Sequence, residues 1–169
     1  GSMVKHYAKK FRQEALNLSH LNHEHIVKVV EVFDANHTAF YVMQFVDGGS
    51  LDDYITKKKH LSEEEAKDCT KQIAEALQYM HSNKMLHLDL KPKNIMRDKS
   101  GVLYLIDFGL SKQYTTAGEP ESSTTIGLGT PGYAPIEQSA ETGGRGGVSF
   151  AASLDVYALG ATYFKMLTG

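Results

Sequence analysis

The sequence has a single cysteine, no tryptophan and no excess of charge of one sign. One thiol, Cys69, excludes an internal disulfide framework and fits a reducing compartment, so we expect a cytoplasmic protein. No apolar run is long enough to span a bilayer, and the first residues do not resemble a signal peptide. Lys and Arg total 18 against 20 Asp and Glu, and they are scattered, so neither nucleic acid nor a membrane surface is an expected partner.

What is present describes a soluble globular domain. The 169 residues are 41% hydrophobic and 22% charged, which is typical of one domain with a sizeable core. Residues 1–3, Gly-Ser-Met, resemble an expression scar and are left out of the fold prediction.

The first 50 residues predict a helix followed by a hairpin. Apolar residues at helical spacing favour an amphipathic helix over 6–21. Residues 26–33 and 39–46 are rich in β-branched and aromatic side chains, and the turn-forming stretch "DANHT" separates them. The glycines of "DGGS" at 47–50 then interrupt the pattern.

The middle of the chain predicts a long helix and a second hairpin. Ser62 and Glu65 form a capping box ahead of a helix over 63–81. One face of that helix is apolar. The segments 94–98 and 102–107 flank "KSG", which indicates a short hairpin. The apolar face of the helix over 63–81 consists of Ala66, Cys69, Ile73, Leu77 and Met80.

The last third predicts a long loop and a buried helix. Residues 111–149 are polar and rich in Gly, Ser and Thr without periodicity, and so long a loop in a compact domain is usually functional or disordered. Residues 153–167 are mostly apolar and predict a buried helix. Helices and hairpins in this order indicate an α+β fold.

Four polar residues suggest phosphoryl transfer. Asp89, Asn94 and Asp107 offer oxygen ligands of the kind that Mg²⁺ prefers, and Lys91 offers a cation for phosphate oxygens. Phosphoryl transfer needs mainly positioning and neutralisation of charge. A lone Asp in a loop is more often a turn or cap residue, but the joint pattern is far more specific.

Four motifs together resemble the protein kinase family. They are "HLDLKPKN" at 87–94, "DFG" at 107–109, "GTPGYAPIE" at 129–137 and "DVYALG" at 155–160. In order and spacing they are similar to the catalytic loop, the metal-binding motif, the end of the activation segment and the start of a buried helix in kinases. Lys91, two residues after Asp89, resembles serine/threonine rather than tyrosine kinases.

The resemblance implies a fold and a domain layout. It implies a protein-kinase-like fold with a partial small lobe, made of helix C and a strand hairpin, and a partial helical large lobe. Residues 4–46 would be a remnant of the small lobe and hinge, and 47–169 would be the large lobe, truncated after the helix called F in kinases.

The resemblance also implies a reaction, with ATP and Mg²⁺ as cofactors and a serine- or threonine-containing protein as substrate. Asp89 would accept or orient the proton of the substrate hydroxyl, and Lys91 would neutralise the transferring phosphate. Asn94 and Asp107 would hold Mg²⁺. His87 would be a packed structural residue.

Further residues are implied to contact the nucleotide or its lysine. Met43 and Met96 could equally be ordinary core residues, and Glu14 a solvated helix charge. The implied contacts are Met43 as gatekeeper, Gln44 and Val46 through their backbones to adenine, Ser50 near the ribose, Met96 as the pocket floor, and Glu14 paired with the nucleotide-binding lysine.

The sequence departs from the family at three points. Leu88 replaces the usual Arg that pairs with an activation-segment phosphate, which questions control through the candidate phosphosites at 122–125. Those residues could equally be a flexible solvated loop. No glycine-rich "GxGxxG" or "VAIK" strand is present, and Lys5 lies too close to Glu14 to replace the strand lysine.

These absences lead to two hypotheses. The first is a serine/threonine kinase segment with intact catalytic residues, inactive as an isolated fragment and able to self-associate through its truncated edges. The alternative is a non-catalytic kinase-like binding module or pseudokinase.

Overall fold

The structure is a computed structural model, and it describes residues 11–12, 15–36, 38–106, 112–113, 129–139 and 151–169. Among these residues, no helix is both long and apolar enough to cross a lipid bilayer.

A short helix and a two-stranded sheet form the N-terminal part. Residues 15–19 are helical, as predicted, and bury Ala15 and Leu18. Strands β1 (Val29–Ala35) and β2 (Thr38–Met43) pair antiparallel, which confirms the hairpin.

The hairpin is shifted from its predicted bounds, because the residues before β1 bond to a different strand. The N–H of Val27 donates to the carbonyl of Leu105 at 3.0 Å, and the N–H of Leu105 donates to the carbonyl of His25 at 2.8 Å. Residues 25–27 therefore join the hairpin to the rest of the molecule, and the paired strand begins only at Val29.

Helix α1 (Leu51–Lys58) was missed by the sequence analysis, which found only a break at 47–50. Its signal was present: Ser50 and Asp53 form a reciprocal capping box, with the Asp53 N–H donating to Ser50 Oγ at 3.0 Å. Leu51 and Ile55 are buried on its inner face. The helix is short, so its two apolar positions gave little periodicity to read.

Helix α2 (Glu63–Ser82) confirms the predicted long helix, its capping box and its buried face. Ser62 accepts from the Glu65 N–H at 3.2 Å. All five apolar residues predicted for one face are buried. Burial also raises the pKa of the Cys69 thiol to about 11, so little reactive thiolate forms at neutral pH.

Strand β3 (Met85–Leu86) follows α2, and the second predicted hairpin is confirmed as β4 (Ile95–Arg97) with β5 (Leu103–Leu105). Its turn is closed by Asp98, whose Oδ1 accepts from the N–H groups of Ser100 and Val102, each at 2.9 Å.

The prediction of an uninterrupted loop over 111–149 was wrong in two places. Strand β6 (Lys112–Gln113) pairs antiparallel with β3, and a short helix α3 spans Ile136–Ser139. Both elements are too short to produce a periodic pattern, and long-range contacts define them. Helix α4 (Ser153–Thr168) confirms the last predicted helix.

One continuous apolar core joins these elements. Helices α2 and α4 pack against each other, and β3, β4 and β5 complete the core around them. The observed α+β arrangement places the loop after β3 at the edge of this core. Fully buried core side chains include Leu51, Leu61, Ile73, Met80, Leu86, Leu90, Ile95, Leu105 and Met166.

Candidate active site

The candidate site is built on the loop that leaves β3, which carries Asp89. A 3-10 turn (Pro92–Asn94) follows, closed by the Asn94 N–H donating to the Lys91 carbonyl at 2.9 Å. This turn brings Asn94 back to Asp89, so that its Nδ2 donates to the Asp89 carbonyl at 2.8 Å and to Asp89 Oδ2 at 3.1 Å. The five-residue spacing seen in the sequence thus becomes a direct contact.

Thr130 completes the group, although the sequence analysis gave it no role. Its hydroxyl donates to Asp89 Oδ1 at 2.7 Å and accepts from Lys91 Nζ at 2.7 Å. Lys91 Nζ also lies 3.8 Å from Asp89 Oδ2. The only signal in the sequence was its position in "GTPGYAPIE", since 41 residues separate Thr130 from Asp89.

The carboxylate of Asp89 is held but still accessible. Its two oxygens receive donors from Thr130 and Asn94 while 14% of the side chain stays exposed, against 22% for Lys91. Asn94 is buried at 5% exposure, and because its Nδ2 points to Asp89, its Oδ1 is the atom left to act as a ligand. A carboxylate acceptor and a cation therefore lie together at a partly open point, and the buried Asn94 amide lies next to them.

His87 is fully buried, as predicted for a packed structural residue. Its Nδ1 accepts from the Asp89 N–H at 3.2 Å, and its Nε2 lies 3.3 Å from the Ile106 carbonyl. His87 therefore supports the backbone of Asp89 and does not face the open side of the site.

Asp155, at the start of α4, binds the backbone of the loop that carries Asp89. Its side chain accepts from the N–H groups of His87 and Leu88, each at 2.9 Å, and lies 2.8 Å from His81 Nε2. Burial by itself raises the pKa of Asp155, but His81, His87 and the Leu88 N–H more than offset it, so the pKa lies below its ordinary 3.8. Asp155 is therefore a charged, buried carboxylate that holds the backbone of the loop.

The residues predicted to bind the nucleotide follow one another from β2 to β4. Met43 ends β2 and is 43% exposed, so core packing does not account for it. The Gln44 N–H donates to the Lys28 carbonyl at 2.8 Å, so a backbone contact of Gln44 with adenine would have to use its carbonyl. Val46 is buried.

Ser50 and Met96 lie together, since a backbone bridge joins them. Met96 is half-buried in β4, as a pocket floor would be. The Ser50 hydroxyl donates to Asp53 Oδ2 at 2.7 Å as part of the α1 cap. A ribose near Ser50 would therefore compete with Asp53 for this hydroxyl. Three further residues named in the sequence analysis, Lys5, Glu14 and Asp107, and the segment 122–125 lie outside the described residues.

The family model of the protein kinase domain matches residues 2–169, and the chain belongs to this family. Serine/threonine-protein kinase PrkC of Bacillus subtilis (strain 168) is 33% identical over 163 residues, covering 96% of this chain and 24% of that protein. Serine/threonine-protein kinase PknB of Mycobacterium tuberculosis is 32% identical over 164 residues, covering 95% and 25%. Human myosin light chain kinase 3 is 33% identical over 175 residues, covering 99% and 20%.

The chain therefore spans about a quarter of the length of the curated relatives that it matches. These relatives confirm the resemblance to serine/threonine kinases and the partial kinase-like fold. The family as a whole implies ATP, usually a divalent metal, and a protein substrate.

Proposed function

We propose that this chain is the catalytic segment of a serine/threonine protein kinase that transfers the γ-phosphate of ATP to a protein hydroxyl. The observation that carries the proposal is the contact group around Asp89. Thr130, Asn94 and Lys91 all meet its carboxylate, although one of them comes from a segment 41 residues away.

Asp89 acts on the substrate hydroxyl. A carboxylate whose oxygens are already oriented by donors can accept the hydroxyl proton or align the hydroxyl for attack without rearranging first. Lys91, 3.8 Å away, supplies a cation at the same point and neutralises charge on the transferring phosphate.

Asn94 and Asp107 are the proposed ligands of Mg²⁺. An amide oxygen and a carboxylate are hard donors that suit this ion, and the Nδ2 bonds of Asn94 fix its Oδ1 in position. When bound, Mg²⁺ neutralises phosphate charge and orients the nucleotide.

Adenine would contact the Gln44 carbonyl and the backbone of Val46, behind Met43 and above Met96, with the ribose near Ser50 and the phosphates toward Lys91. Glu14 would pair with the nucleotide-binding lysine. Residues 4–46 would then be part of the small lobe and hinge, and residues 47–169 part of the large lobe. A cytoplasmic location stays a prediction.

The test is transfer of labelled phosphate from ATP to a generic protein substrate. It needs a longer polypeptide, in which these residues follow a glycine-rich loop and a strand lysine. Asp89→Asn should lower kcat about a thousand-fold while ATP affinity stays nearly unchanged, because Asp89 handles the hydroxyl. Asp68→Asn, on the exposed side of α2, is the matched control and should keep full activity.

Turnover of the Asp89 variant within a few-fold of the parent would refute this role. An inactive parent polypeptide that still binds ATP would favour the binding module or pseudokinase. The 169 residues assayed alone should transfer no measurable phosphate, since they contain no glycine-rich loop.

A further inference from the structure

Gln138, on the short helix α3, contacts the catalytic loop. Its side chain is buried at 5% exposure, and its Nε2 donates to the backbone carbonyl of Leu88 at 2.6 Å. Leu88 directly precedes Asp89. A buried amide from the segment after Thr130 therefore reaches the peptide bond that leads into the proposed catalytic residue.

The backbone of Leu88 adopts a conformation that needs support. Its φ is +66°, a left-handed value that costs a residue with a Cβ roughly 1–2 kcal/mol. The Leu88 N–H donates to Asp155 Oδ1 at 2.9 Å, and its carbonyl accepts from Gln138. Side chains of two different helices therefore hold the two polar backbone groups of this residue.

The peptide unit between Leu88 and Asp89 is held at both ends. Gln138 binds its carbonyl oxygen, and His87 Nδ1 accepts from its N–H at 3.2 Å. Because a peptide unit is planar, fixing both groups fixes the direction in which the chain enters Asp89. The orientation of the Asp89 side chain depends on that direction.

Gly129 provides the space for this arrangement. A Cβ at Gly129 would lie 2.9 Å from Gln138 Nε2 and 2.5 Å from the Cβ of Ala134, both closer than real contacts allow. The next residue, Thr130, donates to the Asp89 carboxylate. One segment therefore contacts the loop twice, through Thr130 at the carboxylate and through Gln138 at the backbone.

We propose that Gln138 is a positioning residue, which holds the Leu88–Asp89 peptide so that the Asp89 carboxylate faces Thr130 and Lys91. This inference rests on the proposed kinase function. The contact is between two uncharged groups, so it joins the segment 129–139 to the catalytic loop without a cation at position 88 and without a phosphate.

The test uses the longer, active polypeptide and two variants of the same chemistry. Gln138→Leu keeps most of the side-chain volume and removes the donor, so kcat should fall about ten- to a hundred-fold while KM for ATP changes less than about two-fold. Gln72→Leu is the matched control. The Gln72 side-chain oxygen accepts from the Leu103 N–H at 2.9 Å and makes no contact with the catalytic loop. Loss of this hydrogen bond should therefore lower Tm and leave kcat unchanged.

A second measurement follows amide hydrogen exchange and requires no activity. Exchange at the Asp89 N–H should accelerate in Gln138→Leu, relative to the Ala66 N–H within α2, and should not accelerate in Gln72→Leu. An active parent whose Gln138→Leu variant keeps its kcat would overturn this inference and leave the proposed function intact. An inactive parent would defeat the proposed function, and unchanged exchange at Asp89 would then overturn the positioning role as well.

Discussion

Thr130 shows how much one side chain contributes at the scale of single residues. Its hydroxyl donates to Asp89 and accepts from Lys91 at the same time, so it keeps the acid and the cation at a fixed separation. Without it, the two charged groups would have only the 3.8 Å ion pair between them. Partly exposed ion pairs contribute little free energy, and the hydroxyl bridge is therefore the stronger restraint.

We expect Thr130→Val to lower kcat at least about ten-fold, since a hydrogen bond to a charged group is worth roughly 1.5–3 kcal/mol. Thr130→Ser keeps the hydroxyl and should retain most of the activity. The measurement is steady-state phosphate transfer by the longer polypeptide. Equal activity of the Val and Ser variants would show that the bridge has no part in catalysis.

Asp155 is the residue on which the stability of the catalytic loop should depend most. We expect Asp155→Asn to lower the free energy of unfolding by about 3–5 kcal/mol, because an amide nitrogen would replace an oxygen that accepts from backbone N–H groups. Asp34→Asn is the control: its ion pair with Arg12 is exposed and should contribute less than about 1 kcal/mol. Urea unfolding at pH 7 measures both.

The same residue gives stability a pH dependence of known sign. The pKa of Asp155 in the folded protein lies below its ordinary 3.8, so the folded state favours the charged carboxylate. Its contribution is therefore complete above about pH 4 and is lost as the pH falls through the folded pKa. Asp155→Asn should be less sensitive to acid than the parent, and identical acid profiles would contradict this.

At the scale of elements, helix α4 contains an uncompensated polar group. Thr162 is fully buried, and among the side chains that the structure describes its Oγ1 is the buried polar atom for which no hydrogen-bond partner is found. Burial of an unpaired hydroxyl costs roughly 1–3 kcal/mol. The helix keeps its place in spite of this residue, through the apolar contacts around it.

We therefore expect Thr162→Val to leave the free energy of unfolding unchanged or to raise it by up to about 1 kcal/mol. Thr70→Val in α2 is the matched control. The Thr70 hydroxyl donates to the Ala66 carbonyl at 2.7 Å, so its loss should not stabilise the protein. Thermal unfolding of the two variants measures this difference. A lower Tm for Thr162→Val than for Thr70→Val would show that the Thr162 hydroxyl does not destabilise the helix.

At the scale of the whole molecule, large apolar side chains are exposed on two separate parts of the structure. Phe45 after β2 is 87% exposed and Val30 on β1 is 66% exposed, while Phe164 on α4 is 67% exposed. Exposed apolar side chains favour association with other protein where they adjoin one another.

We expect the 169 residues alone to form dimers or larger species as their concentration rises. The double change Phe45→Ser with Phe164→Ser should shift the association to about ten-fold higher concentration, which corresponds to about 1.4 kcal/mol. Lys99→Ser, at an exposed polar position, should have no effect. Light scattering over a concentration series measures this, and a monodisperse parent at all concentrations would contradict it.

The sequence by itself determined the long capped helix, both hairpins, the last helix and the group of residues that resembles a kinase loop. These features are local: capping boxes, apolar periodicity and short motifs depend on neighbours within a few residues. Helix α1 belongs here too, because its Ser50–Asp53 cap was present in the sequence and went unread.

Only the tertiary structure decided what meets Asp89. The contacts of Thr130 and Gln138 with the catalytic loop join positions 41 and 50 residues apart. Asp155 reaches the same loop across 67 and 68 residues. No local pattern encodes such contacts, because they join side chains of α3, α4 and the segment before α3 to a loop that is distant in sequence. Strand β6 and helix α3 were not predicted either, because each is too short to show a periodic pattern. Strand β6 is recognised only through its pairing with β3.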